Sequence, residues 1–308
     1  MKILVTGATG FLGSHIVEGL IGSRNEIIAT CRKSSKRDEL PFYQSIIWVE
    51  TDQYGWENVI QSFAPEIIIH AAWSGVNSIS RDNKDIQLSN ISFTDQLLDL
   101  GKKCKIRKFI SLGSQAEYGE FSEKINELYP VNPITSYGHV KLSVLKTVQE
   151  YCEKHHIEWY WLRVFSIFGE RESDLWLIPK LINNILTNKK SMDFTPCEQE
   201  YAYLYVRDFA NIVKKIVESV NPCPGVYNIS SNSAIKLSKL LNMIRDKIDP
   251  NFKLNFGVIP YRSNQPMHIE GDMGKYIKQF GDIQLSDFDV SLNKTIEYYK
   301  NRIKYESI

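Results

Sequence analysis

The strongest constraint on this chain lies in its first thirteen residues. An apolar run, Ile3-Leu4-Val5, leads into Thr6-Gly7-Ala8-Thr9-Gly10-Phe11-Leu12-Gly13, and Phe11, Leu12, Ile16, Val17 and Leu20 follow at helical spacing. A strand therefore runs directly into an amphipathic helix. Gly7 permits the tight turn, Gly10 lets backbone approach a pyrophosphate, and Gly13 lets helix and strand pack closely, with phosphates on the positive helix N-terminus. This assigns Thr6, Gly7, Thr9, Gly10, Phe11, Leu12 and Gly13 to a dinucleotide site. The bland alternative is a plain strand-to-helix turn.

The pattern continues beyond the first helix. Residues 26–30, 46–49, 66–70, 108–112 and 159–164 read as further strands, with helical patterns between several of them and a long helix from about 137 to 156. Strands alternating with helices predict an α/β fold with a Rossmann-type, doubly wound parallel sheet. From about residue 165 the alternation loosens into a helix at 175–186, short strands, a Pro-rich turn at 221–225 and terminal helices. Residues 1–164 are thus expected to form the NAD(P)-binding domain. Residues 165–308 are expected to form mainly a smaller C-terminal substrate lobe, with some segments returning to the first domain.

Composition removes several function classes. With 37 basic against 36 acidic side chains in 308 residues, the chain has no field suited to nucleic acid or anionic lipid. Its five cysteines are odd in number and scattered, without a Cys-x-x-Cys pair, so neither a disulfide framework nor a metal site is expected. No stretch reaches the roughly 20 apolar residues of a membrane span, and the start does not read as a secretory signal. A cytoplasmic protein with a small-molecule partner is the expectation.

Three further stretches carry chemistry. The second strand ends Thr30-Cys31-Arg32-Lys33-Ser34, without the carboxylate that would accept the ribose hydroxyls of NAD. Arg32 and Ser34 supply a cation and a hydroxyl suited to a 2′-phosphate, which favours NADP(H) over NAD(H); the alternative is a solvated basic loop. Asp52 is a candidate acceptor for the adenine amino group, or simply a turn residue. Tyr137 and Lys141 stand four apart on a helix and so share a face. A neighbouring ammonium would lower the phenol from its ordinary pKa of about 10 and let it exchange a proton with a substrate oxygen. Ser114 follows the fifth strand, at whose C-terminal end a parallel sheet presents ligands, and is placed to bond the same oxygen. As bland alternatives, Tyr137 and Lys141 are a surface pair and Ser114 a turn former.

On these residues the sequence resembles the extended short-chain dehydrogenase/reductases of the nucleotide-sugar branch. The likeness covers essentially the whole chain: the glycine motif, His70-Ala71-Ala72, Asn90, Ser114, Tyr137-x-x-x-Lys141, Arg163-Val-Phe-Ser-Ile-Phe-Gly169 and Tyr205-Val-Arg-Asp208. The resemblance implies Ser114, Tyr137 and Lys141 as the catalytic set. It places His70, Ala71, Ala72, Asn90, Tyr137 and Lys141 at the cofactor, puts Ser114, Gln115, Ser166 and Arg262 at a nucleotide-sugar substrate, and suggests a homodimer formed through helices near 84–101 and 137–156. Departures from the family narrow the reaction. Ser114-Gln115-Ala116 stands where the 4,6-dehydratases have Thr-Asp-Glu, and the Cys and His of the epimerase-reductases that make GDP-fucose are missing. Hydride chemistry at one carbon remains, either a reductase of a nucleotide-linked 4-keto-6-deoxyhexose in deoxysugar biosynthesis or a 4-epimerase that retains NAD. A non-catalytic NADP sensor is the rival outside enzymes, and the Tyr137/Lys141 pair argues against it. Tyr201 replaces an expected phosphate-contacting Arg. Trp159 and Trp161 read as core, His155-His156 as a solvated helix end, and Trp73, Asn77 and Glu117 as neighbours of the site.

Overall fold

The computed structural model describes residues 1–77, 80–231, 233–262 and 265–306. Strands β1 (Lys2–Thr6), β2 (Glu26–Cys31), β3 (Ile47–Glu50), β4 (Ile67–His70), β5 (Lys108–Ser114) and β6 (Glu158–Val164) join the strand Gly225–Ile229 in one seven-stranded sheet. Its order is Gly225–Ile229, β6, β5, β4, β1, β2, β3, and every pairing is parallel. The runs Ile3-Leu4-Val5 and Ile67-Ile68-Ile69 are continuous rather than alternating because both faces are covered, and all six side chains are fully buried.

Helix α1 (Phe11–Leu20) and the helix Val206–Glu218 cover one face, where Ile16, Val17 and Leu20 meet Phe209, Ile212 and Val213 in a single core. On the other face, α2 (Trp56–Phe63), α3 (Lys84–Cys104) and α4 (Ser136–Lys154) bury Ile60, Leu97, Leu98, Val144 and Val148. A third core, around Leu181, Leu241 and Leu292, joins the helices Leu177–Leu186, Leu237–Ile248 and Phe288–Glu306.

Residue 225 is more than the end of a Pro-rich turn. It opens the seventh strand, paired with β6 from Gly225–Tyr160 to Ile229–Val164. The wholly buried Lys108 ties the helix Val206–Glu218 to the sheet, its Nζ donating to the carbonyls of Ile216 (2.7 Å) and Ser219 (3.1 Å) at the end of that helix. Trp159 and Trp161 lie in the core, 6% and 0% exposed.

This topology also places the crevice. From β1 the chain builds outward through β2 to β3, then returns to lay β4 against the opposite side of β1. The loops leaving β1 and β4 therefore diverge at the C-terminal edge, where ligands of such sheets bind.

Candidate active site

The crevice floor is the glycine turn. Gly7 has φ +69°, and a Cβ added there would lie 2.6 Å from the Ala72 backbone nitrogen. One added to Gly13 would lie 2.1 Å from the Gly7 carbonyl oxygen, so strand, turn and helix approach more closely than side chains allow. Gly10 caps α1 without a side chain, and no acidic residue stands in the first turn. The leading N–H groups of α1 thus meet no capping side chain and no opposing charge, which fits a dinucleotide pyrophosphate. Phe11 and Leu12 pack their side chains into hydrophobic cores, leaving their backbone N–H groups to serve a ligand, and half-buried Thr9 lines the turn.

A hydrogen-bonded chain braces the wall of the crevice. Thr6 Oγ1 accepts from the Ala72 N–H (3.2 Å) and bonds His70 Nδ1 (2.8 Å), while His70 Nε2 bonds Thr94 Oγ1 (3.1 Å). Thr94 donates its own proton to the Asn90 carbonyl (2.8 Å), so Nε2 must carry the imidazole proton and Nδ1 must accept from Thr6. Burial, aided by the charge of Lys141, lowers His70 to a pKa of about 3 and keeps it neutral. The Asn90 amide clasps the loop after β4, accepting from Ser74 N–H (2.8 Å) and donating to the carbonyls of Ser74, Ile86 and Gln87. The side chains of Thr6, His70 and Asn90 thereby hold the Ala71-Ala72 backbone against Gly7.

At the end of β2, Arg32 and Ser34 are exposed. Both Asp52 carboxylate oxygens accept from the Lys33 N–H at 3.0 Å, so Asp52 closes the turn that carries them. Arg37 pairs with Glu50 at 2.8 Å, whereas no described contact pairs the Arg32 guanidinium with a carboxylate.

Ser114, Tyr137 and Lys141 converge at the C-terminal end of β5 and are 6%, 7% and 3% exposed. Gly138 makes this possible, since a Cβ there would lie 2.5 Å from the Ala116 carbonyl oxygen; its absence lets α4 lie against the turn that follows Ser114. Thr135 caps α4 by accepting from Gly138 N–H (3.1 Å), while the Asp82 side chain and the Arg81 carbonyl accept from Ser136 and Tyr137 N–H, both at 3.1 Å.

The electrostatics differ from the sequence expectation. Burial raises the Tyr137 phenol above its ordinary value, and the forces pulling it back are the charge of Arg81 and hydrogen bonding with Ser114. Lys141 is the other buried titratable group of the set. Its Nζ donates to the Leu112 carbonyl (2.6 Å) and sits 3.3 Å from the Trp73 ring centroid, but 5.7 Å from that of Tyr137. Burial holds Lys141 well below the ordinary ammonium range, opposed by the Glu117 carboxylate and reinforced by Arg81.

Glu117 is completely buried beneath Ser114 rather than facing the crevice. It accepts from Ser114 N–H (2.8 Å), Trp161 Nε1–H (2.8 Å) and Arg163 Nε–H (2.7 Å), and completes a capping box with Ser114, whose Oγ accepts from Ala116 N–H (3.2 Å). The Ser-x-x-Glu spacing is a readable signal for that box. Arg81 had no such signal, because 56 residues of chain separate it from Tyr137.

Among the substrate expectations, half-buried Gln115 follows Ser114 in a short 3-10 turn. Half-buried Ser166 pairs with Tyr203 in a two-stranded ribbon. Exposed Arg262 donates to Gln265 Oε1 at 3.3 Å. Tyr201 binds this same loop, donating to the Pro266 carbonyl (2.7 Å) and accepting from Gln265 Nε2 (2.7 Å). Among the described residues no cluster of three metal-ligating side chains occurs, and no helix is long and apolar enough to cross a membrane.

Several known proteins are similar to this chain. The chain is 27% identical over 260 residues to the dTDP-D-glucose 4,6-dehydratase of Dictyostelium discoideum, a match spanning 76% of this chain and 59% of that protein. It is 25% identical over 272 residues to the CDP-abequose synthase of Salmonella muenchen, covering 86% and 87% of the two chains. In fold it is similar to the UDP-glucose 4-epimerase of Thermotoga maritima, with a TM-score of 0.88 at 22% identity over 98% of this chain and all of that one. Residues 3–230 match the model of the NAD dependent epimerase/dehydratase family, to which this chain belongs.

Proposed function

We propose that this protein reduces the 4-keto group of a nucleotide-linked 4-keto-6-deoxyhexose with NADPH, in deoxysugar biosynthesis for surface polysaccharide. The observation that carries the reading is the convergence of Ser114, Tyr137 and Lys141 beside the glycine cradle, with Gln115 and Ala116 where acids would be needed to remove water. With a dinucleotide's pyrophosphate held at that cradle, its reduced nicotinamide would supply hydride. Tyr137 supplies the proton to the carbonyl oxygen, Ser114 bonds that oxygen, and the Leu112 carbonyl holds Lys141 behind them. Similarity to a CDP-abequose synthase over most of both chains supports a deoxysugar substrate. The exposed cation Arg32, with Asp52 turned onto the Lys33 backbone, supports a 2′-phosphate and hence NADP(H).

The likeness in fold to a UDP-glucose 4-epimerase motivates one second reading, a 4-epimerase with retained NAD. Denaturing the purified protein and identifying any released dinucleotide separates the two. Under the reductase reading little NAD is released, NADPH binds more tightly than NADH, and nicotinamide absorbance falls when a nucleotide-linked 4-keto-6-deoxyhexose is added. Stoichiometric release of NAD, with interconversion of 4-hydroxyl epimers, would overturn it.

A further inference from the structure

We propose that Trp73, locked by the Gln87 amide, is a positioning residue that holds the Lys141 ammonium against the Leu112 carbonyl beside Tyr137. The inference rests on Tyr137 and Lys141 serving the reaction proposed above, and it assigns roles to two residues outside the Ser114, Tyr137 and Lys141 set.

Trp73 follows the Ala71-Ala72 backbone after β4, and two side chains of α3 fix the segment it belongs to. Gln87 and Asn90 stand three residues apart and so share a face of that helix. Asn90 clasps Ser74, while the completely buried Gln87 turns to Trp73. The Gln87 amide is fully used: its Nε2 donates to the carbonyls of Gly75 (2.8 Å) and Ser80 (3.3 Å), and its Oε1 accepts from Trp73 Nε1–H (3.0 Å). With both amide protons on carbonyls, only the oxygen is left for the indole, which can only donate, so neither group turns over without breaking a buried bond. Gly75 admits this closure, because a Cβ there would lie 2.6 Å from Gln87 Nε2.

The indole so fixed meets two residues of the reactive set. Lys141 Nζ sits 3.3 Å from its ring centroid, and the Tyr137 ring packs against it at 80° with 6.0 Å between centroids. The face of an indole carries the negative side of its quadrupole, and an ammonium over it is attracted most where water is excluded. Lys141 is 3% exposed and has lost the water an ammonium ordinarily keeps. The rings of Tyr137 and Trp161 are farther from Nζ, at 5.7 and 5.9 Å. Burial opposes the ammonium most, Glu117 favours it, Arg81 adds to the opposition, and His70 stays neutral. Among the described contacts, the Leu112 carbonyl and the Trp73 face therefore stand nearest Nζ in place of water.

The consequence is a Lys141 that keeps its charge without solvent. A charged Lys141 favours the phenolate of Tyr137 and so strengthens the phenol as an acid toward the substrate oxygen. Without the ring face the ammonium retains the Leu112 carbonyl but loses its nearest aromatic cover, and it sheds its proton at lower pH. Trp73 acts through Lys141, and Gln87 acts through Trp73.

The test reads Lys141 directly. Lysine labelled with carbon-13 at the carbon next to the amine reports its own ionisation by NMR, and the signal lost in Lys141→Met is that of Lys141. It is followed against pH in wild type, Trp73→Phe, Trp73→Leu and Gln87→Met, each first shown to unfold cooperatively in urea. Leucine keeps an apolar cover and discards the ring face, so Trp73→Leu should lower the Lys141 midpoint by about one unit, and Trp73→Phe should recover part of the shift. Gln87→Met, which frees the indole, should lower it less than Trp73→Leu. In turnover, kcat at neutral pH should fall about tenfold in Trp73→Leu and less in Trp73→Phe. An unchanged Lys141 midpoint in a folded Trp73→Leu protein, or an equal fall in Trp73→Phe, overturns the proposal. Should Trp73→Leu fail to fold, an unchanged midpoint in Gln87→Met overturns it equally. If wild type turns over no 4-ketosugar, the reductase reading fails while the titration still decides the role of Trp73.

Discussion

Replacing Glu117 by Gln removes one interior charge while keeping volume and shape. The carboxylate is wholly buried; Oε1 accepts from Ser114 N–H and Trp161 Nε1–H, and Oε2 from Arg163 Nε–H. Glutamine offers a single oxygen, so its NH2 must confront either Arg163 or the Ser114 and Trp161 donors. Arg163, 4% exposed, cannot shed its charge, and the face of the Tyr118 ring 4.3 Å away does not replace a carboxylate. Removing one partner of a buried ion pair costs about 3–5 kcal/mol, most of it the uncompensated charge left behind. Equilibrium urea unfolding of Glu117→Gln should therefore show a loss of about 3 kcal/mol or more. Turnover should fall as well, because the Ser114 backbone loses its anchor. A double variant, Glu117→Leu with Arg163→Met, discards both charges and should recover much of the stability without restoring turnover. A Glu117→Gln protein within about 1 kcal/mol of wild type, below the cost of a broken buried pair, would refute this account.

Other outcomes are as specific. Tyr137→Phe should lower turnover by about 10²–10⁴-fold, with NADPH affinity by fluorescence titration unchanged; retained turnover would remove Tyr137 from the proton step. Arg32→Asp should reverse a preference for NADPH over NADH in binding titrations, and an unaltered ratio would make Arg32 a surface cation. Burial lowers His70 to a pKa of about 3 and, with the charge of Arg171, lowers His15 to about 4, so both stay neutral when folded while the unfolded chain takes up protons below about 6.5. Stability should therefore rise with pH between about 4 and 6.5, by about 1.4 kcal/mol per pH unit for each histidine, and His70→Asn should remove about half of the difference in unfolding free energy between pH 7.5 and 5.5. An identical pH dependence in that variant would contradict a neutral His70.

How much was legible in the residues can be seen element by element. The turn at Gly7, Gly10 and Gly13 was readable because close backbone approach demands glycine, and few other residues fit there. The central strands were readable because a sheet covered on both faces needs uninterrupted apolar runs such as Ile67-Ile68-Ile69. The strand Gly225–Ile229 was hidden, since it follows a turn signal and takes its identity from pairing with β6, some 60 residues earlier. Glu117 read as a neighbour of the site by position, and its inward orientation depends on Arg163 and Trp161 arriving from the next strand.

By itself, then, the sequence determined what local rules can carry: a parallel α/β sheet, a glycine turn for phosphates, and Tyr137 and Lys141 on one helical face, because periodicity and backbone sterics act within a few residues. Only the tertiary structure decided what each charged side chain meets. Arg81 stacks on Tyr137, Lys141 turns to Leu112 and Trp73, Asp52 closes on Lys33, and Glu117 holds Ser114 from below. Electrostatic partnership is set by distance in space and by burial, and neither is encoded at any fixed spacing along the chain.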